Sequence, residues 1–292
     1  MFKNSLKTAV LLAALGGLIV GIASLLGGGS SSAVMIGLVM ALVMVGGSYW
    51  FSDKLALKSA RAQVITEADH PEFYAMVRNL SQRAGMPMPR VAVSPSEQPN
   101  AFATGRGPNN AVVCATTGLL QSLTPAEVEG VMAHELMHVR NRDILIGSVA
   151  AAVATAISAI AQMAMFATMF AGGSRDDENR PNPFAILLVS MLAPLAASLI
   201  QMAISRNREF EADRSAAELL GNGESLARAL EKIESIATRV PMQVAPAQAQ
   251  AYIHNPLAEM HHKPRTGLDV GRLFSTHPDT DERIRRLREM AF

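Results

Sequence analysis

Cysteine is nearly missing from this sequence, which contains Cys114 alone, and charged residues are scarce. A single cysteine excludes an intramolecular disulfide framework, and it agrees with a reducing compartment for the water-exposed part of the chain. Charged residues make up only 17% of the 292 residues, which is a low share for a soluble protein. The net charge of +1 provides no large basic field, so we expect no nucleic-acid partner.

Charge is absent altogether from four long apolar stretches, which cover residues 8–29, 33–51, 144–173 and 184–204. A helix of roughly 20 apolar residues crosses the hydrocarbon core of a bilayer, and each stretch is near or above that length. Lys3 and Lys7 resemble the start of a cleaved signal peptide, but the first stretch is too long for one, so we expect an uncleaved anchor. Buried core helices are the alternative for the third and fourth stretches, although little protein remains to bury them.

The clusters of basic residues lie on one side of the apolar stretches, whereas the loop between the third and fourth stretches, GGSRDDENRPNP, carries two basic and three acidic residues. The clusters precede the first and third stretches and follow the second and fourth: Lys3, Lys7, Arg140, Arg142, Lys54, Lys58, Arg61, Arg206, Arg208 and Arg214. The positive-inside rule therefore predicts that both termini and the two long polar segments are cytoplasmic. The predicted organisation is a transmembrane hairpin (1–51), a first cytoplasmic part (52–143), a second pair of transmembrane helices (144–204) and a second cytoplasmic part (205–292).

The polar segments carry signals for several helices and a small sheet. The predicted elements are helices over 70–85, 206–220, 225–238 and 279–290, and strands over 90–94 and 111–115. Thr124, Pro125 and Glu127 form the N-terminal signature of one more helix. No helix-breaking residue follows before the third apolar stretch, so we expect this helix to continue into it. Residues 240–269 are predicted to form a loop.

The segment HELMH, residues 134–138, lies within the helix that Thr124 opens. Residues four apart share one helix face, so His134 and His138 can direct their ring nitrogens at one tetrahedral zinc ion. Glu135 lies about 100° around the helix, where its carboxylate can reach a metal-activated water. The pattern indicates a zinc hydrolase, and the alternative is an ordinary surface helix with two histidines.

A catalytic zinc site needs a third protein ligand, and the best candidate lies in the predicted helix 206–220. Glu209 is predicted to be that ligand. Asp213, one turn later, is expected to accept the outer N–H of a ligand histidine and so to fix its tautomer. Glu211 is the competing ligand, but it lies on a different face from Asp213. Without the two histidines, both glutamates would be assigned to a solvated face.

With HELMH, the later segment REFEAD and LFSTHPDTDERIRRLR near the end, the chain resembles the HtpX family of membrane-bound zinc metalloproteases, relatives of the CAAX prenyl endopeptidases. The resemblance extends to PNAFATG and to the apolar stretches, while residues 240–252 match none of its motifs. It implies a gluzincin in which Zn²⁺ is bound by His134, His138 and Glu209 and Glu135 is the base. It also implies a bacterial or archaeal inner-membrane endopeptidase that helps to remove damaged or misfolded membrane proteins.

Two further segments gain candidate roles from this resemblance. Residues 99–105 are predicted to form an edge strand that holds an extended substrate by strand addition, unless they form a plain structural strand. The substrate-binding residues predicted there are Asn100, Ala101 and Phe102. His277 is predicted to stabilise the tetrahedral oxyanion, the alternative being a structural role in the turn before a helix. Arg283 is predicted either to support His277 or to bind substrate.

The sequence thus predicts a mainly α, integral membrane protein with four apolar helices and a cytoplasmic gluzincin-type α+β zinc protease domain that carries a small sheet. Its predicted activity is that of an endopeptidase with one Zn²⁺ per chain, acting on protein or peptide substrates at the lipid bilayer. Processing of lipidated or specific membrane peptides is the alternative, and a zinc-regulated membrane protein without enzymatic activity is a remote one. An intramembrane protease is disfavoured because charged residues surround HELMH, and a transporter because the apolar stretches contain no ionisable residue.

Overall fold

The computed structural model describes residues 2–26, 28–142, 144, 206–240, 252–253 and 278–292. Those residues form a mainly helical fold with one small mixed sheet, as the sequence predicts. The third and fourth apolar stretches, His277 and most of the predicted loop 240–269 lie outside the described residues.

The first two apolar stretches form a pair of helices, α1 (Phe2–Leu26) and α2 (Ser31–Ser59), joined by a short turn at residues 28–30. They pack closely where their side chains are small. A Cβ atom added to Gly37 would lie 2.6 Å from the Cβ of Ala23, so only glycine fits at that position. The first two apolar stretches are therefore two helices in contact, and their expected role as a transmembrane hairpin stays a prediction.

Helix α2 bends by 62° between its segments Ser31–Gly47 and Tyr49–Ser59. The bend coincides with the sequence Gly46-Gly47-Ser48, and glycine–serine pairs are a common cause of such kinks. Among the described residues no single helix meets the length and hydropathy needed to cross a membrane, whereas the two segments of α2 meet them when taken together. The expected boundary after residue 51 falls inside α2.

A four-stranded sheet in the order β1-β2-β4-β3 follows the helical pair. Its strands are β1 (Gln63–Val64), β2 (Arg90–Ser94), β3 (Ala101–Gly105) and β4 (Ala111–Thr116). The central strands β2 and β4 are parallel, and β1 and β3 run antiparallel to their neighbours. Both strands predicted from β-rich runs are confirmed, β3 lies at one edge, and β1 was not predicted.

The two faces of the sheet pack against different layers, because successive side chains of a strand point to opposite sides. Ala103 belongs to the main core, which also contains helix α3 (Pro71–Arg83). Phe102 and Cys114 point the other way and pack with Leu57 of α2. Burial raises the pKa of the Cys114 thiol, which agrees with the expected role of a buried strand residue.

Strand β4 leads through α4 (Thr117–Ser122) into α5 (Pro125–Asn141), which carries HELMH. The predicted capping box is confirmed. The Thr124 hydroxyl accepts from the Glu127 N–H at 3.4 Å, and the Glu127 carboxylate accepts from the Thr124 N–H at 2.8 Å. The expectation that this helix continues into the third apolar stretch is wrong, because Arg142 adopts the left-handed conformation at φ 62° and ends α5.

Three later helices complete the core around α5: α6 (Arg206–Leu220), α7 (Glu224–Ala237) and α8 (Thr280–Glu289). All three agree with predicted helices. A Cβ atom on Gly130 of α5 would lie 2.8 Å from the backbone nitrogen of Leu226. The missing side chain therefore lets α7 approach α5 closely, while α6 packs along α5 and brings its acidic residues to the histidines.

Candidate metal centre

The two histidines of α5 face each other, as their spacing predicts. Their Nε2 atoms are 3.1 Å apart, and their rings are nearly perpendicular, at 89°. His134 is 1% exposed, while His138 is partly buried. Two ring nitrogens at this distance leave room for a shared cation, toward which both lone pairs can point.

Helix α6 brings Glu209 to the histidines. One oxygen of its carboxylate lies 3.4 Å from Nε2 of His138, and the other lies 3.6 Å from Nε2 of His134. Glu209 is buried at this point, whereas Glu211, the competing candidate, is exposed on another face of α6. The structure therefore brings Glu209 and not Glu211 into the cluster, in which the ligand atoms of three side chains lie within 4.8 Å of one another.

The geometry of this cluster fits a zinc ion. Ligand atoms at about 2.0–2.1 Å from a tetrahedral zinc ion are about 3.3 Å apart. Here the two Nε2 atoms are 3.1 Å apart, one oxygen of Glu209 lies 3.4 Å from Nε2 of His138, and its other oxygen lies 3.6 Å from Nε2 of His134. Imidazole nitrogen together with a carboxylate suits zinc, while magnesium and calcium sites are built mainly from oxygen. Three protein ligands would leave a fourth position for water, as in catalytic zinc sites.

The electrostatics of the cluster favour a positive charge between its members. Burial alone lowers the pKa of His134, but the neighbouring carboxylates of Asp213 and Glu209 outweigh burial and raise it above the usual range. Either a proton or a metal cation can supply that charge at Nε2, and the two compete because a metal-bound histidine is neutral.

Asp213 and Arg283 support His134 from behind. The Oδ1 atom of Asp213 lies 2.8 Å from Nδ1 of His134, within hydrogen-bonding range. Arg283 donates from Nε and Nη2 to the two oxygens of Asp213, at 2.8 and 2.7 Å. Burial works to raise the pKa of Asp213, but the charge and the hydrogen bonds of Arg283, together with the contact with His134, lower it to about 2. Asp213 is therefore a buried anion in contact with the outer nitrogen of a candidate ligand, and its role as the acceptor of that N–H stays a prediction.

The side chain of Arg283 is more completely buried than the sequence suggests. It is 2% exposed, lies 3.8 Å from a Glu209 oxygen, and donates to the carbonyl of Ile253 at 3.3 Å. Its predicted support of His277 or of substrate stays a prediction, since His277 lies outside the described residues. The bond to Asp213 was not predicted. One available signal was that Arg283 shares the buried face of α8 with Leu287.

Glu135 is buried next to the cluster, at 3% exposure. Burial raises the pKa of its carboxyl, with Glu209 acting in the same direction, and the nearby histidines and Arg283 offset only part of the increase. A general base is most effective when its pKa lies near the working pH, so this environment moves the carboxylate toward such a role.

Strand β3 meets another part of the chain along its outer edge. Asn100, directly before the strand, is buried and hydrogen-bonds with the end of β4. The carbonyl of Ala101 points away from β4 and accepts from the N–H of Ile253 at 2.9 Å. The ring of Tyr252 packs edge-on against Phe102, with centroids 5.1 Å apart. This contact was not predicted, although Tyr252-Ile253 is a conspicuous apolar pair within a polar, Ala-rich and Gln-rich segment.

Comparisons with known proteins show which proteins this chain is similar to. The model of a family described as Peptidase family M48 matches residues 67–291, which include all the candidate ligands. Proteins named "Protease HtpX homolog" from Polynucleobacter necessarius subsp. necessarius (strain STIR1) and Paraburkholderia phytofirmans (strain DSM 17436 / LMG 22146 / PsJN) are each 51% identical to this chain over 292 residues. The alignments cover 99% of this chain and 96% and 97% of those proteins.

One solved structure, the crystal structure of S. mikatae Ste24p, is similar in fold. The TM-score is 0.51 at 19% sequence identity, and the match covers 98% of this chain and 65% of the Ste24p chain. At that identity the likeness concerns the fold alone.

Proposed function

The chain belongs to peptidase family M48 together with the HtpX homologues, and from this premise we propose that it is a zinc-dependent endopeptidase. Membership in the family confirms the resemblance drawn from HELMH and the later motifs, and it makes the protein a peptidase. The observation that carries the zinc assignment is the convergence of His134, His138 and Glu209, with Glu135 on the same helix as the histidines.

In this proposal His134, His138 and Glu209 hold the metal. A bound zinc ion supplies the positive charge that acidifies a water molecule and polarises the carbonyl of the scissile peptide. Asp213 keeps the proton of His134 on Nδ1, so that Nε2 offers its lone pair to the metal. Arg283 keeps Asp213 ionised through two hydrogen bonds.

Glu135 is the proposed general base. It removes a proton from the attacking water and then passes that proton to the nitrogen of the leaving amine. Its raised pKa supports this assignment, because a carboxyl group that binds a proton more readily can both accept and return it. His277 remains the predicted donor to the developing oxyanion.

Strand β3 is the proposed site for an extended substrate. In an antiparallel edge strand, every second residue points its N–H and C=O away from the partner strand. Ala101 points outward, as its bond to Ile253 indicates, and the alternation directs Ala103 the same way. A peptide added along this edge would therefore continue from the Tyr252–Ile253 contact or replace it.

The proposed location is the inner membrane, with several spans and with the protease domain and both termini on the cytoplasmic side. The segment Ser31–Gly47 supports this placement, because its apolar side chains are exposed rather than packed: Val34, Met35, Ile36, Leu38, Val39, Leu42 and Val43. The same helix continues to Leu57, which packs against the sheet, so the apolar hairpin is tied directly to the protease core. At this location the proposed role is removal of damaged or misfolded membrane proteins.

The test is proteolysis by the detergent-purified chain, with zinc content measured on the same preparation. Glu135→Gln is expected to keep zinc and to lose cleavage of an unfolded test protein, because the ligands remain and the base is gone. His134→Ala and Glu209→Ala are expected to lose both. Glu211→Gln is the matched control, since it removes an exposed carboxylate two residues from Glu209. Full cleavage by Glu135→Gln would overturn the mechanism.

A further inference from the structure

A cavity that the proposed chemistry does not use lies beside the distal segment of α2. It has a volume of about 410 Å³, and it is lined by Trp50, Phe51, Asp53, Lys54 and Arg106. Arg106 comes from the turn after β3, so the cavity joins the apolar hairpin to the protease core. Its lining combines aromatic rings with basic groups.

The distal segment of α2, Tyr49–Ser59, has one face packed and one face exposed. Leu57 points inward to the sheet. Trp50, Phe51 and Leu55 are 60%, 53% and 46% exposed, and Lys54 is exposed among them. Large apolar side chains that share an exposed helix face with lysine are typical of helices that lie in the membrane–water interface, where tryptophan is also enriched.

The charges of the cavity are arranged to favour an anion. The guanidinium group of Arg106 lies 4.4 Å from the centroid of the Trp50 ring, and the ammonium group of Lys54 lies 5.6 Å from the centroid of Phe51. The acidic lining residue, Asp53, forms an ion pair with Arg90 on β2, which offsets its negative charge. Lys54 and Arg106 thus give the cavity a positive potential next to apolar surface.

We propose that this cavity binds the phosphate of an anionic phospholipid at the cytoplasmic surface of the membrane. Lys54 and Arg106 contact the phosphate, while Trp50 and Phe51 lie at the boundary between headgroups and acyl chains. A lipid fits better than a free phosphate ion, because the cavity continues into the exposed apolar surface of α2. The proposal rests on the membrane location given above.

The bend in α2 supports this orientation. If the segment Ser31–Gly47 runs through the bilayer, the 62° bend turns Tyr49–Ser59 toward the plane of the membrane surface. The sheet packs on the inner face of that same segment, so a headgroup bound on the outer face would set the distance between the sheet and the bilayer. The cavity would in this way position the substrate strand β3 relative to membrane-embedded substrates.

Trp50 is the only tryptophan in the chain, so its fluorescence reports on this cavity alone. The full chain is placed in phosphatidylcholine nanodiscs that contain either brominated phosphatidylglycerol or brominated phosphatidylcholine as a minor component. Quenching of Trp50 then gives the relative affinity of the site for the two lipids. We expect a clear preference for phosphatidylglycerol, on the order of fivefold for each basic residue that contacts the lipid.

Three variants sharpen the measurement. Lys54→Gln/Arg106→Gln is expected to abolish the preference, and Arg106→Lys is expected to retain most of it because the charge remains. Arg214→Gln/Arg228→Gln removes an equal number of positive charges from exposed positions on α6 and α7. This control variant is expected to leave the preference unchanged.

Equal quenching by both lipids in the unaltered chain would overturn the headgroup site and leave the membrane location intact. No quenching by either lipid would contradict the membrane placement of α2 itself, whereas the zinc assignment would stand. A preference that survives Lys54→Gln/Arg106→Gln would also overturn the proposal.

Discussion

Two arginines of α8 make similar contacts in opposite surroundings. Arg283 is 2% exposed and binds both oxygens of Asp213. Arg288, on the outer face, forms ion pairs with Glu224 and Glu231 at 3.1 and 2.9 Å, and its side chain is 42% exposed. Water can replace most of what Arg288 provides, whereas no solvent is available to Asp213 when Arg283 is removed. Burial, and not the number of hydrogen bonds, decides which pair the fold and the metal centre depend on.

The largest effect is expected from breaking the buried pair. Arg283→Met leaves the charge of Asp213 buried without its counter-ion, and such changes typically destabilise a protein by about 3–5 kcal/mol. Denaturant unfolding in detergent measures the loss. Arg283→Met/Asp213→Asn is the control that isolates this cause, and it should recover part of the stability because no lone charge remains. A double variant no more stable than Arg283→Met would show that packing matters more than charge.

A separate effect on the metal is expected from Asp213→Asn, in addition to the loss of stability that follows from leaving the buried Arg283 without this counter-ion. Asparagine keeps the shape of the side chain but weakens the hold on Nδ1 of His134, and loss of such a partner typically costs about 10–100-fold in metal affinity. Competition with a zinc chelator measures the affinity, and a thermal melt of the same preparation checks the fold. Unchanged zinc affinity would mean that the contact with His134 is structural only.

The N-terminal cap of α5 is intermediate in burial between the two arginine contacts, because Glu127 is buried while its partner Lys232 is exposed. Thr124→Ala is expected to cost about 0.5–2 kcal/mol of stability, the usual range for a lost cap. The readout is the denaturant midpoint, with Thr238→Ala as control, since Thr238 follows the C-terminus of α7 and makes only a local hydrogen bond. A cap variant as stable as the control would contradict the assignment.

The pH dependence of this cap has a definite sign. Burial acts to raise the pKa of Glu127, but the bonds to Lys232 and Thr124 prevail and lower it below the usual range. Its contribution to stability is therefore complete above the pKa of an unfolded glutamate and is lost as pH falls through the lowered folded value. The stability difference between the unaltered chain and Glu127→Gln should shrink over that acidic window and stay constant above it. A difference that grows on acidification would contradict the shift.

The smallest effect is expected from Arg288→Ala. Its ion pairs are exposed and screened, so the melting temperature should remain that of the unaltered chain at physiological ionic strength. Repeating the melt at low salt tests the reasoning, because any contribution should appear there first. A loss comparable to that of Arg283→Met would remove the distinction between the two faces of α8.

The parts of the structure that the sequence predicts are those with local causes. The capping box depends on residues three apart, and the shared face of His134 and His138 follows from their spacing of four. The end of α5 could not be predicted from the sequence. It depends on a left-handed conformation at Arg142, whereas glycine is the residue that usually adopts this conformation at a helix end. The contacts between Arg283 and Asp213, and between Tyr252 and Phe102, join distant segments, so no local pattern encodes them.

The choice between Glu209 and Glu211 shows where local reasoning stops. Helical spacing put Glu209 on the face of Asp213, but only the packing of α6 on α5 decides which face meets the histidines. Ala212 and Ala216 of α6 are fully buried in the core, which shows that this side of the helix is the packed one.

The central claim is that His134, His138 and Glu209 bind one zinc ion, and X-ray absorption at the zinc edge of the purified chain tests it most directly. The account predicts two imidazole ligands and light oxygen neighbours at about 2.0–2.2 Å, with one zinc ion per chain. It also predicts that Glu209→Gln weakens or loses this signal while Glu211→Gln preserves it. A sulfur neighbour, or an unchanged spectrum in Glu209→Gln, would contradict the account.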